Sequence, residues 1–209
     1  MGFIELWLYW TQIASVAMSL VLAAFMLWRY SLRKHSHILI WAIAWAIVAL
    51  RVALGLFFSI SFLREFIYNF LIIVTDLLWF FGLALLLEMS RTKKMIFPIA
   101  YLSIFSSITS VIYFILENQL AGAVVTTIAH PLLLFILFWY FHVCAEVTGY
   151  LGAKIISFSF LLWALDYIIF GVSYFGMGIT IAGVLGWSIG LIFRVMTFIG
   201  FSMMALKRR

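Results

Sequence analysis

Seven apolar runs, each close to the length of a membrane-crossing helix, follow one another along this chain with only short polar breaks between them. A helix needs about 20 apolar residues to cross the roughly 30 Å hydrocarbon core of a bilayer. The runs read as spans at 6–28, 38–60, 67–89, 95–116, 122–144, 155–177 and 184–206. With their loops they use all 209 residues, which leaves no room for a soluble domain. The expectation is one all-α integral membrane domain over residues 1–209, a seven-transmembrane-helix bundle. Composition agrees: 67% of residues are hydrophobic and 10% charged, against about half and a quarter in soluble domains.

The loops fall into two groups. Arg29, Arg33 and Lys34 lie after the first span, Arg91, Lys93 and Lys94 after the third, Lys154 after the fifth, and Lys207, Arg208 and Arg209 after the seventh. The loops on the other side, "SFLREF" (61–66), "ENQLAG" (117–122) and "GMGITIAG" (176–183), carry only Arg64. Because basic loops stay in the cytoplasm, the N-terminus is predicted outside and the C-terminus in the cytoplasm of a multi-pass cell-membrane protein. This topology accounts for the net charge of +6, so no nucleic-acid partner is expected. "MGFIEL" lacks the basic start of a signal peptide and the Ser or Thr of a myristoylation motif. The lone Cys144 excludes an intrachain disulfide and a CxxC metal site, and reads as a free, partly buried thiol. Trp7, Trp10, Trp28, Trp41, Trp139 and Trp187 lie near span ends, as interfacial belts do, and Trp163 lies deeper, as packing.

Four ionisable residues interrupt the apolar runs: Arg51, Asp76, Asp166 and Arg194. At about 1.5 Å per residue, each comes out roughly 17–20 Å from the inner end of its helix. They form one neutral layer near the midplane. A lone charge at a helix centre costs about 2.5–3.5 kcal/mol on insertion scales, so the layer is expected to pair. Ionisable residues at this depth are candidates for function; the alternative is a set of inert ion pairs that fix helix register. Ser103, Ser106, Ser107 and Ser110 in the fourth span and Gly183, Gly186 and Gly190 in the seventh read as faces for close helix packing. Pro131 inside the fifth span is expected to kink it.

"DLLWFFG" (76–82) aligns with "RVMTFIG" (194–200), and "ALR" (49–51) with "ALD" (164–166). The alignment suggests a 3+1+3 direct repeat, whose halves are related by an axis along the membrane normal. The charges are swapped between the halves.

No HExxH, Walker loop, GxGxxG or GxSxG is present. His130 and His142 share a span but stand about 18 Å apart along it, too far to share a metal, and His35 and His37 lie in a basic loop. The reading is therefore not an enzyme and needs no metal. "WALDYIIFGVSYFGMGI" (163–179) and "LIFRVMTFIGF" (191–201) resemble the last two helices of opsins. Opsins hold retinal on a lysine in the middle of the seventh helix, where this chain has Phe198 and no lysine before Lys207. No covalent retinal, and no other cofactor, is expected.

"KHSHILIWAIAWAIVALRVALG" (34–55) and "AKIISFSFLLWALDYIIF" (153–170) resemble the seven-helix sensory regions that precede histidine kinase and diguanylate cyclase domains. Trp41, Ala44 and Trp45 answer to a W-x-x-A-W run, and Trp163, Asp166 and Tyr167 to a W-G-x-H-x-x-D-Y-P run, without its His and Pro and with a shorter Trp-to-Asp spacing. The resemblance implies a membrane sensor or receptor that passes a signal to the cytoplasm, with a small-molecule or lipid ligand at the Arg51/Asp76/Asp166/Arg194 layer. With no output domain after Arg209, it implies either the membrane part of a longer protein or a separate cytoplasmic signalling partner. Two other readings stay open: a small-solute or ion transporter with a midplane site, and a structural membrane subunit.

Overall fold

A computed structural model describes residues 2–57, 62–87, 119–173 and 179–206. Among these residues the chain is all helical: α1 (Phe3–Arg33), α2 (Ser36–Phe57), α3 (Phe62–Leu87), α4 (Gln119–Thr148), α5 (Leu151–Ser173) and α6 (Ile179–Leu206). Among the described residues, five stretches are long and apolar enough to cross a membrane: α1, α2, and the parts of α4, α5 and α6 that run over His130–Thr148, Leu151–Ile169 and Ile181–Leu206. They mark the chain as a membrane-embedded, multi-pass protein. The fourth predicted span, with its four serines, lies outside the described residues.

The helices outrun the predicted spans. α1 has 31 residues, about 46 Å at 1.5 Å per residue, so its hydropathic centre covers only part of it. Hydropathy marks the part that needs lipid, whereas backbone hydrogen bonding carries a helix on into the interface. For the same reason α3 starts at Phe62, inside the segment read as a loop, and Lys154 sits in the first turns of α5. α4 runs on through Pro131. It ends at Gly149, whose φ of 65° suits a residue without a Cβ and whose N–H donates to Ala145 O at 2.8 Å.

Polarity is turned inside out. On α1, Thr11, Ser15 and Ser19 recur every fourth residue and are buried, while Leu20, Val21 and Leu27 are exposed. On α5, Ser157 and Ser159 are buried, while Phe158 and Leu165 face outward. An apolar exterior suits lipid, and several of the inward hydroxyls bond to their own helix: Thr11 Oγ1 reaches Trp7 O at 2.9 Å, Ser19 Oγ donates to Ser15 O at 2.7 Å, and Ser159 Oγ to Ile156 O at 2.7 Å.

The described residues sort into two compact units. The first joins Met1–Thr11 to His130–Arg209, and the second is Gln12–Ala129. In the first, Ser157 Oγ donates to Phe138 O at 3.0 Å, tying α5 to α4. Trp7 Nε1 donates to Ser188 Oγ at 3.4 Å, tying the start of α1 to α6. α5 and α6 touch backbone to backbone: a Cβ added at Gly200 would stand 2.7 Å from Gly152 O, and one at Gly152 2.5 Å from Gly200 O. In the second unit α2 packs on α3. The Trp79 ring lies 5.7 Å from Trp41 and 5.6 Å from Trp45. Gly82 leaves the space that the Trp41 ring fills, since a Cβ there would meet Trp41 Cδ1 at 2.7 Å.

Candidate functional site

Two of the four predicted charges, Asp166 and Arg194, belong to the first unit, and the other two, Arg51 and Asp76, to the second.

In the first unit, Asp166 on α5 and Arg194 on α6 converge on Gly190. The point where a Cβ of residue 190 would stand is 3.2 Å from Arg194 Nη1 and 3.4 Å from Asp166 Oδ2. Arg194 Nη1 also donates to Gly190 O, four residues back on its own helix. Long helical side chains point toward the N-terminus of their helix, which is why the guanidinium reaches the level of Gly190. Arg194 is only 2% exposed. Near its charge stand the Gly190 carbonyl, the Asp166 carboxylate across the point of residue 190 and the Phe193 ring, whose centroid is 4.7 Å from Cζ.

A column of rings begins beside this pair. His130, at the start of the described core of α4, stacks on Tyr167 with 4.9 Å between centroids. Tyr167 is followed by Trp163 at 6.3 Å, Phe160 at 6.2 Å, Phe141 at 5.6 Å and Phe201 at 6.3 Å. Trp163 stacks on Phe193 at 4.5 Å and 10°. Tyr167, Trp163 and Phe160 recur at helical spacing, so one face of α5 carries the column. It runs toward the Leu151 end of α5. Beyond Phe193, Thr197 Oγ1 stands 2.8 Å from Ser159 Oγ and 2.7 Å from Phe193 O; its single proton can serve either acceptor.

In the second unit Arg51 is 5% exposed, with its guanidinium carbon 5.3 Å from the Tyr68 ring centroid. Asp76 is half-buried on α3, eight residues beyond Tyr68, or roughly 12 Å along the helix. Its neighbour Thr75 is buried and donates to Leu71 O at 2.7 Å. Arg51 and Asp76 both make further interactions.

Two features of the site escaped the reading of the sequence. Gly190 reads there as part of a packing stripe, yet it stands against the charges, whereas a Cβ at Gly183 would meet Leu8 at 3.5 Å. His130 enters the sequence reading only where a metal shared with His142 is excluded, yet it is 4% exposed and stacked on the residue next to Asp166. Its depth in an apolar span was the available signal, since ionisable side chains there are seldom idle. Among the described residues no three His, Cys, Asp or Glu side chains are placed to share a metal ion. Cys144 is a free, half-buried thiol. No protein-family model, no curated protein and no solved structure matches the chain.

Proposed function

We propose that the chain is a membrane sensor or receptor module. In this reading it has seven spans, with the N-terminus outside and the C-terminus in the cytoplasm. Its site is the Asp166/Arg194 pair, with Arg51/Asp76 as the counterpart in the other half of a 3+1+3 repeat. One oppositely charged couple in each unit is what such a repeat would produce. The observation that carries the reading is the junction of the charge pair with the ring column. Asp166 faces Gly190 on α6, and its neighbour Tyr167 meets His130 on α4. A ligand that parts Asp166 from Arg194 therefore also moves the helix face bearing Tyr167, Trp163 and Phe160. A two-state bundle needs such a link between a site and the far end of its helices, and a ligand shifts it only by binding one state better.

The column also separates this reading from its rival. A transporter must open its site to each side in turn, and here a file of neighbouring rings extends from the pair toward the Leu151 end of α5. The Ser159–Thr197 hydroxyl pair favours the transporter reading, because it is a polar step on that same side. A structural subunit whose charges only lock the helices is the third reading.

The test is water access. With Cys144 replaced by Ser, single cysteines at 51, 76, 166, 194, 159 and 197 are challenged with a membrane-impermeant thiol reagent. Intact cells present the outer face, and inside-out vesicles the inner. The receptor reading expects labelling at 166 and 194 from outside only, and none at 159 or 197 from outside. Labelling of the same position from both faces favours the transporter. No labelling of the four charge positions from either face leaves a dry structural lock.

A further inference from the structure

The geometry points to Gly190 as the positioning residue of the Asp166/Arg194 pair. It acts on the pair in two ways. Its carbonyl accepts a hydrogen bond from Arg194 Nη1, which fixes how far back along α6 the guanidinium lies. Its missing Cβ leaves open the point where the two charged groups meet. A Cβ there would have Arg194 Nη1 at 3.2 Å, Asp166 Oδ2 at 3.4 Å and Asp166 Cγ at 3.9 Å as its nearest neighbours. Two other α6 glycines, Gly183 and Gly200, differ in kind. At Gly183 a Cβ meets Leu8 at ordinary contact distance, and at Gly200 it meets Ile156 and the backbone of α5.

The space at 190 is thus defined by the pair itself. The 3.2 Å contact obliges the guanidinium to give by a few tenths of an ångström. Little is free to give, because Arg194 is buried, tied to the carbonyl of residue 190 and close to the Phe193 ring. Any larger residue at 190 acts as a wedge against the two charges and changes how readily they part. This inference rests on the reading of Asp166/Arg194 as the site, and it gives that site an adjustable threshold.

The experiment compares Gly190→Ala in three backgrounds by reversible unfolding in mixed detergent micelles. In the wild type the substitution is expected to lower the unfolding midpoint. In Asp166→Leu/Arg194→Met, where the facing atoms are gone, it is expected to cost nothing or to stabilise, since Ala is the better helix former. In Arg194→Lys, whose compact ammonium lacks the Nη1 branch, most of the loss should be rescued. The rescue keeps the test decisive if the doubly apolar background fails to fold. Gly200→Ala, set against backbone, should lose the same amount in every background. Equal losses for Gly190→Ala in the wild type and in Arg194→Lys overturn the inference and leave the receptor reading standing. Absence of thiol labelling at 166 and 194 would remove the receptor reading without touching the result at 190.

Discussion

Replacing Asp166 by Leu removes the carboxylate that stands across residue 190 from the Arg194 guanidinium, and the expected loss is set by how deeply that guanidinium is buried. Arg194 is 2% exposed, and its Nη1 donates to Gly190 O. Removing one member of a buried ion pair costs about 3–5 kcal/mol. Asp166 is only half-buried, which places the loss at the lower end. About 3 kcal/mol corresponds to roughly a hundredfold in the folding equilibrium. Arg194→Met should cost a similar amount, because it leaves the carboxylate facing Gly190. The double variant Asp166→Leu/Arg194→Met should fold nearly as well as the wild type, since apolar replacements of buried pairs are often neutral or better. The assay is reversible unfolding in mixed micelles, followed by tryptophan fluorescence with Trp163 beside the site. A coupling energy of about 2 kcal/mol or more is expected from the cycle. Additive losses, with a coupling below about 0.5 kcal/mol, would refute the claim that the two groups depend on each other, and the account of the site with it.

Two further outcomes follow from the helix contacts. Gly200→Ala drives a Cβ to 2.7 Å from Gly152 O, so α5 and α6 must separate, at about 1–3 kcal/mol typical of overpacking; denaturant midpoints measure it, and an unchanged midpoint would contradict the close approach. Tyr68→Leu removes the ring 5.3 Å from the Arg51 guanidinium carbon and should cost about 0.5–2 kcal/mol. Tyr68→Phe should cost much less, and equal losses for both would assign the effect to the hydroxyl.

The membrane character was legible because it is a sum over the chain. Every long helix needs an apolar exterior, and no single residue decides it. Asp166 and Arg194 were legible for a similar reason, since a charge at that depth stands out against its neighbours. Their partner was not. Whether Gly190 meets a leucine, a backbone or a guanidinium depends on how α5 and α6 rotate about their axes, and a helical period of 3.6 residues leaves that rotation open. The same holds for His130. Its stacking on Tyr167 joins residues 37 positions apart in sequence, and no local pattern encodes the pairing. Helix ends were read short because hydropathy stops where lipid stops, while hydrogen bonding does not: α4 starts at Gln119 and runs to Thr148.

Asp166 and Tyr167 are consecutive, so their side chains leave α5 about 100° apart. One reaches toward α6 and the other toward α4. That angle makes α5 the element on which the charge pair and the ring column act against each other. If α5 rotates to let Asp166 leave Arg194, Tyr167 must slide across His130, and the stack at 4.9 Å resists until it can re-form in a new register. Packed cores are bistable rather than continuously deformable. In the sensor reading proposed for this chain, a helix held by a charge on one side and by rings on the other would have two resting positions with an unfavourable path between them. A protein that must report an event at mid-membrane depth to one end of its helices needs that property, and a protein whose charges serve only as a lock does not.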